Sequence, residues 1–311
     1  MTPTEDPTEE LPEFRSGFVS LIGRPNVGKS TLVNAMVGTK VTIVSDKPQT
    51  TRTTVRGVRT TDTSQIVILD TPGVHRPRTL LGERTNQRAI ASLTAVDVVC
   101  FLVEANRPIG PGDRFVAELV QQAEAQARIA VLNKIDLATH DAIGRHLGLL
   151  GSGELGQFDA FVPISALEGD GVELLVDEIE QQLEPGPRYY PEGALSDQPE
   201  SFLAAELVRE QLLEGARDEL PHSITVSVDG FEERTTASGE TVLAIRAVIR
   251  VERASQKGIV IGHRGENLKR AGTAARLELE HLLGVRVHLE THVRVDPDWQ
   301  RRAPSLDRLG Y

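Results

Sequence analysis

From residue 17 to about 183, short apolar runs alternate with stretches of helical period. GFVSLIG (17–23), SQIVILD (64–70), VDVVCFLVE (96–104), RIAVLNK (128–134) and FDAFVPIS (158–165) are apolar at nearly every position, which predicts strands covered on both faces. Ser30 to Val37, RFVAELVQQAEAQ (114–126) and VELLVDEIEQQL (172–183) carry apolar residues at three- and four-residue spacing, as amphipathic helices do. The alternation predicts an α/β domain, a mostly parallel sheet with helices on both faces.

The texture then changes. EPGPRYYPEGALSDQPE (184–200) holds four prolines and two glycines, a linker or an extended lap. A helical stretch follows (201–216), then two long strand-like runs at 223–234 and 240–251. KGIVIGHRGENLKRAGTAARLELEHLL (257–283) passes from an apolar segment through a tight turn into a helix, and VRVHLETHVRV (285–295) alternates as a last strand. This half reads as α+β with an antiparallel core, and the chain shows no internal repeat. The expected division is a disordered acidic tail over 1–15, an α/β domain over 16–184, a linker over 185–200, an α+β domain over 201–295 and a C-terminal tail over 296–311. The length of 311 residues agrees with two domains at about 150 residues each.

Composition modifies this picture in two ways. The single cysteine, Cys100, excludes an intrachain disulfide and a multi-cysteine metal site, and its apolar strand marks it as a core residue. The net charge of −11 argues, taken whole, against a nucleic-acid binder. No run approaches 18 apolar residues, and the acidic Pro/Thr-rich start is unlike a secretory signal, so the cytoplasm is the expected location.

Gly23-Arg24-Pro25-Asn26-Val27-Gly28-Lys29-Ser30 fits G-x-x-x-x-G-K-S between a strand and a helix, with Thr31 inside that helix. Backbone amides of such a loop turn toward phosphates; Lys29 adds an ammonium and Ser30 a hydroxyl for Mg²⁺. Asp70-Thr71-Pro72-Gly73 ends a second strand, where Asp70 can hold Mg²⁺ through water and the Gly73 N–H can reach a γ-phosphate. Asn133, Lys134 and Asp136 end a third strand. A carboxylate there accepts both N1–H and N2–H of guanine and finds no such donors on adenine. Ser165-Ala166 follows a fourth strand and can offer backbone N–H to guanine O6. The order and spacing are those of a GTPase, with GTP and GDP as ligands. The polar stretch 45–53 between Ser30 and Asp70 has switch-loop chemistry, and its expected metal-binding hydroxyl is Thr51, with Thr50 as the alternative. Lys29, Thr51 and Gly73 are the expected catalytic set. Val74 stands where many GTPases carry the glutamine that orients water, so that task falls elsewhere.

In the second half, Gly262-His263-Arg264-Gly265 is a G-x-x-G turn within the order helix, two strands, short helix, turn, helix, strand, which is that of a type II KH domain. Residues 246–270 carry seven basic side chains against two acids, which outweighs the whole-chain charge at this place. The expected RNA-binding residues are Lys257, Ile259, Ile261, Gly262, His263, Arg264, Gly265 and Lys269, with bases resting beside the two isoleucines. His281, His288 and His292 lack a supporting ligand cluster and suggest no metal.

Through GRPNVGKSTLVNAMVG, QTTRT, DTPGVH, NKID, PISA and the ending LDRLGY, nearly the whole chain after residue 15 resembles the Era family of bacterial GTPases. The resemblance implies a GTPase domain followed by a KH domain. It also implies binding near the 3′ end of 16S rRNA and assistance to assembly of the small (30S) ribosomal subunit. Related GTPases with an asparagine at the place of Asn26 bind K⁺ there, so K⁺ joins Mg²⁺ as a candidate ion. A monomer is expected, with a peripheral fraction at the inner face of the cell membrane as a second location. The alternatives are a signalling GTPase whose second domain binds protein, and a tRNA-modification GTPase, a class that relies on a C-terminal cysteine absent here.

Overall fold

The computed structural model describes residues 13–47, 49–216, 220–235 and 239–311. Most of the expected acidic tail, and Pro48 of the expected switch loop, lie outside the described residues. The first domain runs β1 (Arg15–Gly23), α1 (Lys29–Val37), β2 (Val55–Thr60), β3 (Ser64–Asp70), α2 (Leu80–Ala91), β4 (Val98–Glu104), α3 (Pro111–Gln121), β5 (Ala127–Asn133), α4 (His140–Gly151), β6 (Ala160–Pro163) and α5 (Val172–Gln182). Its strands lie in the order β2-β3-β1-β4-β5-β6, all parallel except β2.

Side chains of a strand alternate between faces, and β4 shows why its sequence is apolar throughout. Val98, Cys100 and Leu102 join the core beneath α1 and α5, while Val99, Phe101 and Val103 join the core beneath α2, α3 and α4. Burial pushes the Cys100 thiol far above its usual pKa, so the cysteine serves as packing. The antiparallel edge strand β2 has no sequence expectation behind it. VRGVRT is short, with one face covered and one open, and the polar residues blur its period.

The stretch 185–200 laps along the sheet edge. The Gln65 side chain accepts from the Tyr189 and Tyr190 amides at 2.7 and 2.9 Å and donates to the Tyr190 carbonyl at 3.0 Å. Bridges Arg15–Pro185 and Gly57–Ser196 complete the lap.

The second domain runs α6 (Glu200–Glu214), α7 (Leu220–Ser223), β7 (Thr225–Thr235), β8 (Thr241–Val251), α8 (Ala254–Ile261), α9 (Glu266–Leu283) and β9 (Arg286–Val295). The expected antiparallel core is corrected here. β7 and β8 are antiparallel, but β9 joins β8 in parallel, because the chain crosses over through α8 and α9 before returning. Alternating apolar residues alone do not distinguish the two pairings. The stretch expected as a C-terminal tail is folded. After a turn at Trp299–Arg301 it forms α10 (Ala303–Arg308), and fully buried Trp299 and Leu306 pack on Leu81 of α2 in the first domain.

Candidate nucleotide cleft and RNA surface

The first-domain loops that follow β1, β3, β5 and β6 leave the carboxyl ends of parallel strands, where open α/β sheets bind ligands. The loops after β1 and β3, part of the 45–51 stretch, Lys134 and Leu167 enclose a cleft of about 460 Å³. Pro25, Asn26, Gly28, Lys29, Ser30, Thr31, Thr50, Thr51, Gly73 and Lys134 line it. Gly28 has φ +98°, and a side chain there would collide with the Asn133 amide. Gly73 packs on the loop after β1, where a Cβ would lie 2.6 Å from the Pro25 Cα. Both glycines are therefore required by close approach, and Gly28 by its conformation as well.

Beneath the cleft, Asp70 is fully buried. Its Oδ2 accepts from Ser30 Oγ at 2.7 Å, Thr42 Oγ1 at 2.9 Å and Thr51 Oγ1 at 3.3 Å, and Ser30 and Thr51 lie 2.9 Å apart. Its Oδ1 is buried and unpartnered among the described residues. Burial raises the Asp70 pKa, opposed by the Ser30 hydroxyl, the Lys29 charge and the two threonines. An unsatisfied buried carboxylate oxygen beside two hydroxyls suits a hydrated Mg²⁺, so the residues present fit that ion. Thr50 stands apart: its hydroxyl donates to the Lys47 carbonyl at 2.6 Å. Lys29 donates to the Gly23 and Arg24 carbonyls at 3.3 and 3.0 Å, and burial lowers its pKa to about 8, partly offset by Asp70.

Asn133 ties the loops together. Its amide nitrogen donates to the Val27 carbonyl at 2.8 Å, and its oxygen accepts from the Lys134 and Ala166 amides at 2.8 and 3.0 Å. Ser165 Oγ donates to Asp136 at 2.6 Å, fixing that carboxylate. The Ser165 and Ala166 amides, expected to face guanine O6, are engaged within the protein. The Ser165 amide already donates to the Asp170 carbonyl and the Ala166 amide to Asn133, while the next residue, Leu167, lines the cleft. Arg24, Val27 and Thr71 support the site from outside. Arg24 bonds Asp113 at 2.8 Å, Val27 lies in the core, and the Thr71 hydroxyl donates to the Leu21 carbonyl at 2.6 Å.

Glu104 has no sequence expectation behind it. It is buried at the end of β4, pairs with Lys134, and lies within 4 Å of Arg24 and Arg107. Its place at the carboxyl end of a parallel strand is the signal that could have found it. Val74 sits in the core and its amide donates to the Gly23 carbonyl at 3.2 Å, so its side chain faces away from the cleft chemistry.

In the second domain Gly262 and Gly265 take φ +75° and +84°, and Arg264 φ +49°, which sets the tight turn between α8 and α9. Asn267 donates to the Ile259 carbonyl at 3.0 Å and fills the space a Gly262 side chain would need. His263, Arg264 and Lys269 are exposed and Lys257 half-buried, and none makes an ion pair among the described residues. Arg246 and Arg270 of the same basic stretch do pair, with Glu290 and Glu214. A shallow groove of about 330 Å³ starts at Gly265 and Lys269 and runs between α9 and β9 over Leu268 and Leu289. Leu268 and Leu289 are the apolar residues of this groove, while the expected Ile259 and Ile261 lie outside its lining, on α8, exposed and half-buried respectively. His288 and His292 are exposed on β9, and His281 is exposed near the end of α9.

The two sites meet through the 45–53 stretch. Arg52 is buried, donates to the carbonyls of Ile224, Pro221 and His222 at 2.7, 3.2 and 3.0 Å, and lies 5.6 Å over the Trp299 ring. Fully buried Arg209 of α6 donates to the Thr50 carbonyl and pairs with Glu206. Lys40 bonds Glu210 and Glu278, both at 2.5 Å, and Glu210 accepts from the Val44 amide at 2.8 Å.

Residues 18–134 match the family described as 50S ribosome-binding GTPase, and residues 219–300 match the KH domain family. The chain is 50% identical over 304 residues to GTPase Era of a Nocardioides species, covering 96% of this chain and 97% of that one. It is 47% identical over 302 residues to GTPase Era of Mycobacterium avium, covering 97% and 100%. A crystal structure of Era with MgGDPNP and nucleotides 1506–1542 of 16S ribosomal RNA superposes with a TM-score of 0.91 at 37% identity, covering 96% of this chain and 99% of that one. A variant of Aquifex aeolicus Era bound to GDP and AlF4⁻ gives 0.90 at 37% identity, with the same coverage. With a P-loop cleft and a G-x-x-G groove on one chain and relatives of this identity along nearly its whole length, the protein belongs to the Era family of GTPases.

Proposed function

We propose that this chain is a GTP-hydrolysing switch that binds single-stranded rRNA near the 3′ end of 16S rRNA and assists assembly of the small ribosomal subunit. The observation that carries the proposal is the convergence of Lys29, Ser30, Thr51, Asp70 and Gly73 on one cleft whose loop is gripped by a KH domain. The Era structure solved with MgGDPNP and nucleotides 1506–1542 of 16S rRNA supports the choice of ligands.

In this reading, Lys29 exchanges its two carbonyl partners for the β- and γ-phosphates, regaining a charge that burial disfavours. The Gly73 amide faces the γ-phosphate, and Asp136, held by Ser165, accepts from guanine. Ser30 and Thr51, with Asp70 behind them, would hold Mg²⁺, which would supply neutralising charge for the phosphates. Water is positioned by backbone or partner groups, since Val74 is buried in the core. Asn26 donates to the Asp46 carbonyl at 2.6 Å, and its side-chain oxygen has no partner among the described residues, which fits a K⁺ ligand. Monomeric protein in the cytoplasm, with a minor peripheral membrane fraction, completes the proposal.

The test is RNA affinity for a strand from the 16S 3′ end, measured with GTP analogue, with GDP and without nucleotide. Affinity that differs between the nucleotide states supports the switch. Absence of RNA binding in all three leaves the protein-binding alternative.

A further inference from the structure

A second, larger cleft of about 700 Å³ opens where the two domains meet. Its walls are Gln49, the 75–79 segment after the D-T-P-G loop, the start of α8 and the turn at Gln300–Arg301. Arg76, Arg78, Arg253 and Arg301 line it from three separate chain segments, and all four are exposed. None of their side chains makes a hydrogen bond or ion pair among the described residues, where most other arginines have a partner. Among the described residues the only acid in the wall is Glu252. Four unpaired guanidiniums converging from both domains repel one another, and a polyanion removes that repulsion.

The cleft also touches the nucleotide loops. The His75 ring lies 2.7 Å from the Gln49 side-chain amide and 2.9 Å from the Gly73 carbonyl. Its wall includes Arg253 and Gln256 at the start of α8, a helix about 12 Å long whose other end is the G-x-x-G turn.

We propose that this interdomain cleft is a second RNA site, which holds the phosphodiester backbone of the strand after it leaves the G-x-x-G turn. Arg76 and Arg78 supply the contacts from the nucleotide-binding domain, Arg253 those from the KH domain and Arg301 those from the turn that follows it. The inference rests on the RNA-binding reading above and extends it. RNA itself spans the two domains and touches the segment that follows Gly73.

The test uses the full chain with Arg76→Glu and Arg78→Glu together, and two RNAs. One is a single strand of about six nucleotides, enough for the KH turn alone. The other is the same strand extended by about ten nucleotides at each end. The expected result is a loss of at least about tenfold for the extended RNA, with a salt slope shallower by about 1.4 for two phosphate contacts. The short RNA and GTP should bind as before, and Arg76→Lys with Arg78→Lys should restore much of the extended-RNA affinity. Equal affinity of wild type and the glutamate variant for the extended RNA overturns the inference while leaving the KH site intact. Failure of the wild type to bind either RNA overturns the RNA reading itself, and the inference with it. Loss of an acidic protein partner without loss of RNA also overturns it.

Discussion

The nucleotide cleft and the KH groove handle polar groups in opposite ways. Around Asp70 nearly every polar group is buried and engaged by another, with Oδ1 left over. Around the G-x-x-G turn the cations are solvated and largely unpaired. Desolvated charges are expensive to disturb, whereas exposed ones contribute in small increments that salt can screen. Nucleotide binding should therefore fail abruptly on single substitutions, and RNA binding should decline in steps.

The largest expected effect is at Lys29. Lys29→Ala removes a buried ammonium whose partners become phosphates, so GTP affinity should fall by about 2–5 kcal/mol. RNA affinity without nucleotide should stay within about twofold, read by fluorescence anisotropy. A parallel collapse of both affinities would show that the two sites are one cooperative unit and would break the contrast. Next comes Gly262→Asp with Gly265→Asp. Both positions have positive φ, the first crowds Asn267, and both put carboxylates against phosphate. RNA affinity should drop at least about a hundredfold, or roughly 3 kcal/mol, while GTP binding persists. Unchanged affinity for the 16S 3′ strand would move the RNA site off this turn.

Arg52 sharpens the comparison because it belongs to both regions. It leaves the switch loop and donates to three carbonyls in the KH half, with burial lowering its pKa. Arg52→Met keeps much of the volume and removes the bonds. Removing the donor to three carbonyls, those of Pro221 and Ile224 in buried residues, should cost about 2–4 kcal/mol, seen as a lower Tm. The difference in RNA affinity between GTP analogue and GDP should shrink as well. A variant that loses stability but keeps the full nucleotide-dependent difference would make Arg52 a packing residue only.

How far each region could be read in the sequence follows from the same contrast. The cleft is built from contiguous motifs at strand ends, so GRPNVGKS, DTPG and NKID place its floor without any knowledge of the fold. Contacts that join distant segments escape that reading. Glu104 meets Lys134 only because β4 and β5 are neighbours, and Thr42 meets Asp70 across 28 positions. The amides of Ser165 and Ala166 looked free in one dimension and have partners in three. In the KH half the order of elements was legible, but the direction of β9 was not, since period-two alternation is the same in both pairings. The seam through Arg52, Arg209 and Trp299 has no local signature at all.

The buried state of Lys29 also makes a pH prediction for the cleft alone. In the free protein its pKa is about 8, and bound phosphates raise it again. Near pH 8 about half the free protein lacks this proton, so nucleotide binding should take up about half a proton. Affinity for GDP should then weaken as pH rises through 8, and stay nearly level below pH 7. Calorimetry in two buffers of different ionisation enthalpy reads the uptake, with Mg²⁺ withheld so that Asp70 is not also recruited. RNA affinity should show no step in that window. No proton uptake at pH 8 would mean that Lys29 is already charged in the free cleft.

The smallest expected effect on chemistry is at Val74. In many GTPases the corresponding side chain handles the attacking water, so a naive reading puts its loss among the largest effects. Here the side chain is packed among Leu69, Ala89 and Leu93, and only its backbone reaches the loop after β1. Val74→Ala should therefore act as a core truncation, costing about 1–2 kcal/mol of stability. Turnover at saturating GTP and at a temperature well below Tm should stay within about twofold, because no atom that meets the nucleotide has been removed. Loss of all turnover with GTP affinity intact would place Val74 in the chemical step. In that case the contrast would fail on the nucleotide side: burial would mark a residue that moves into the cleft when GTP binds, rather than one that packs the core in every state.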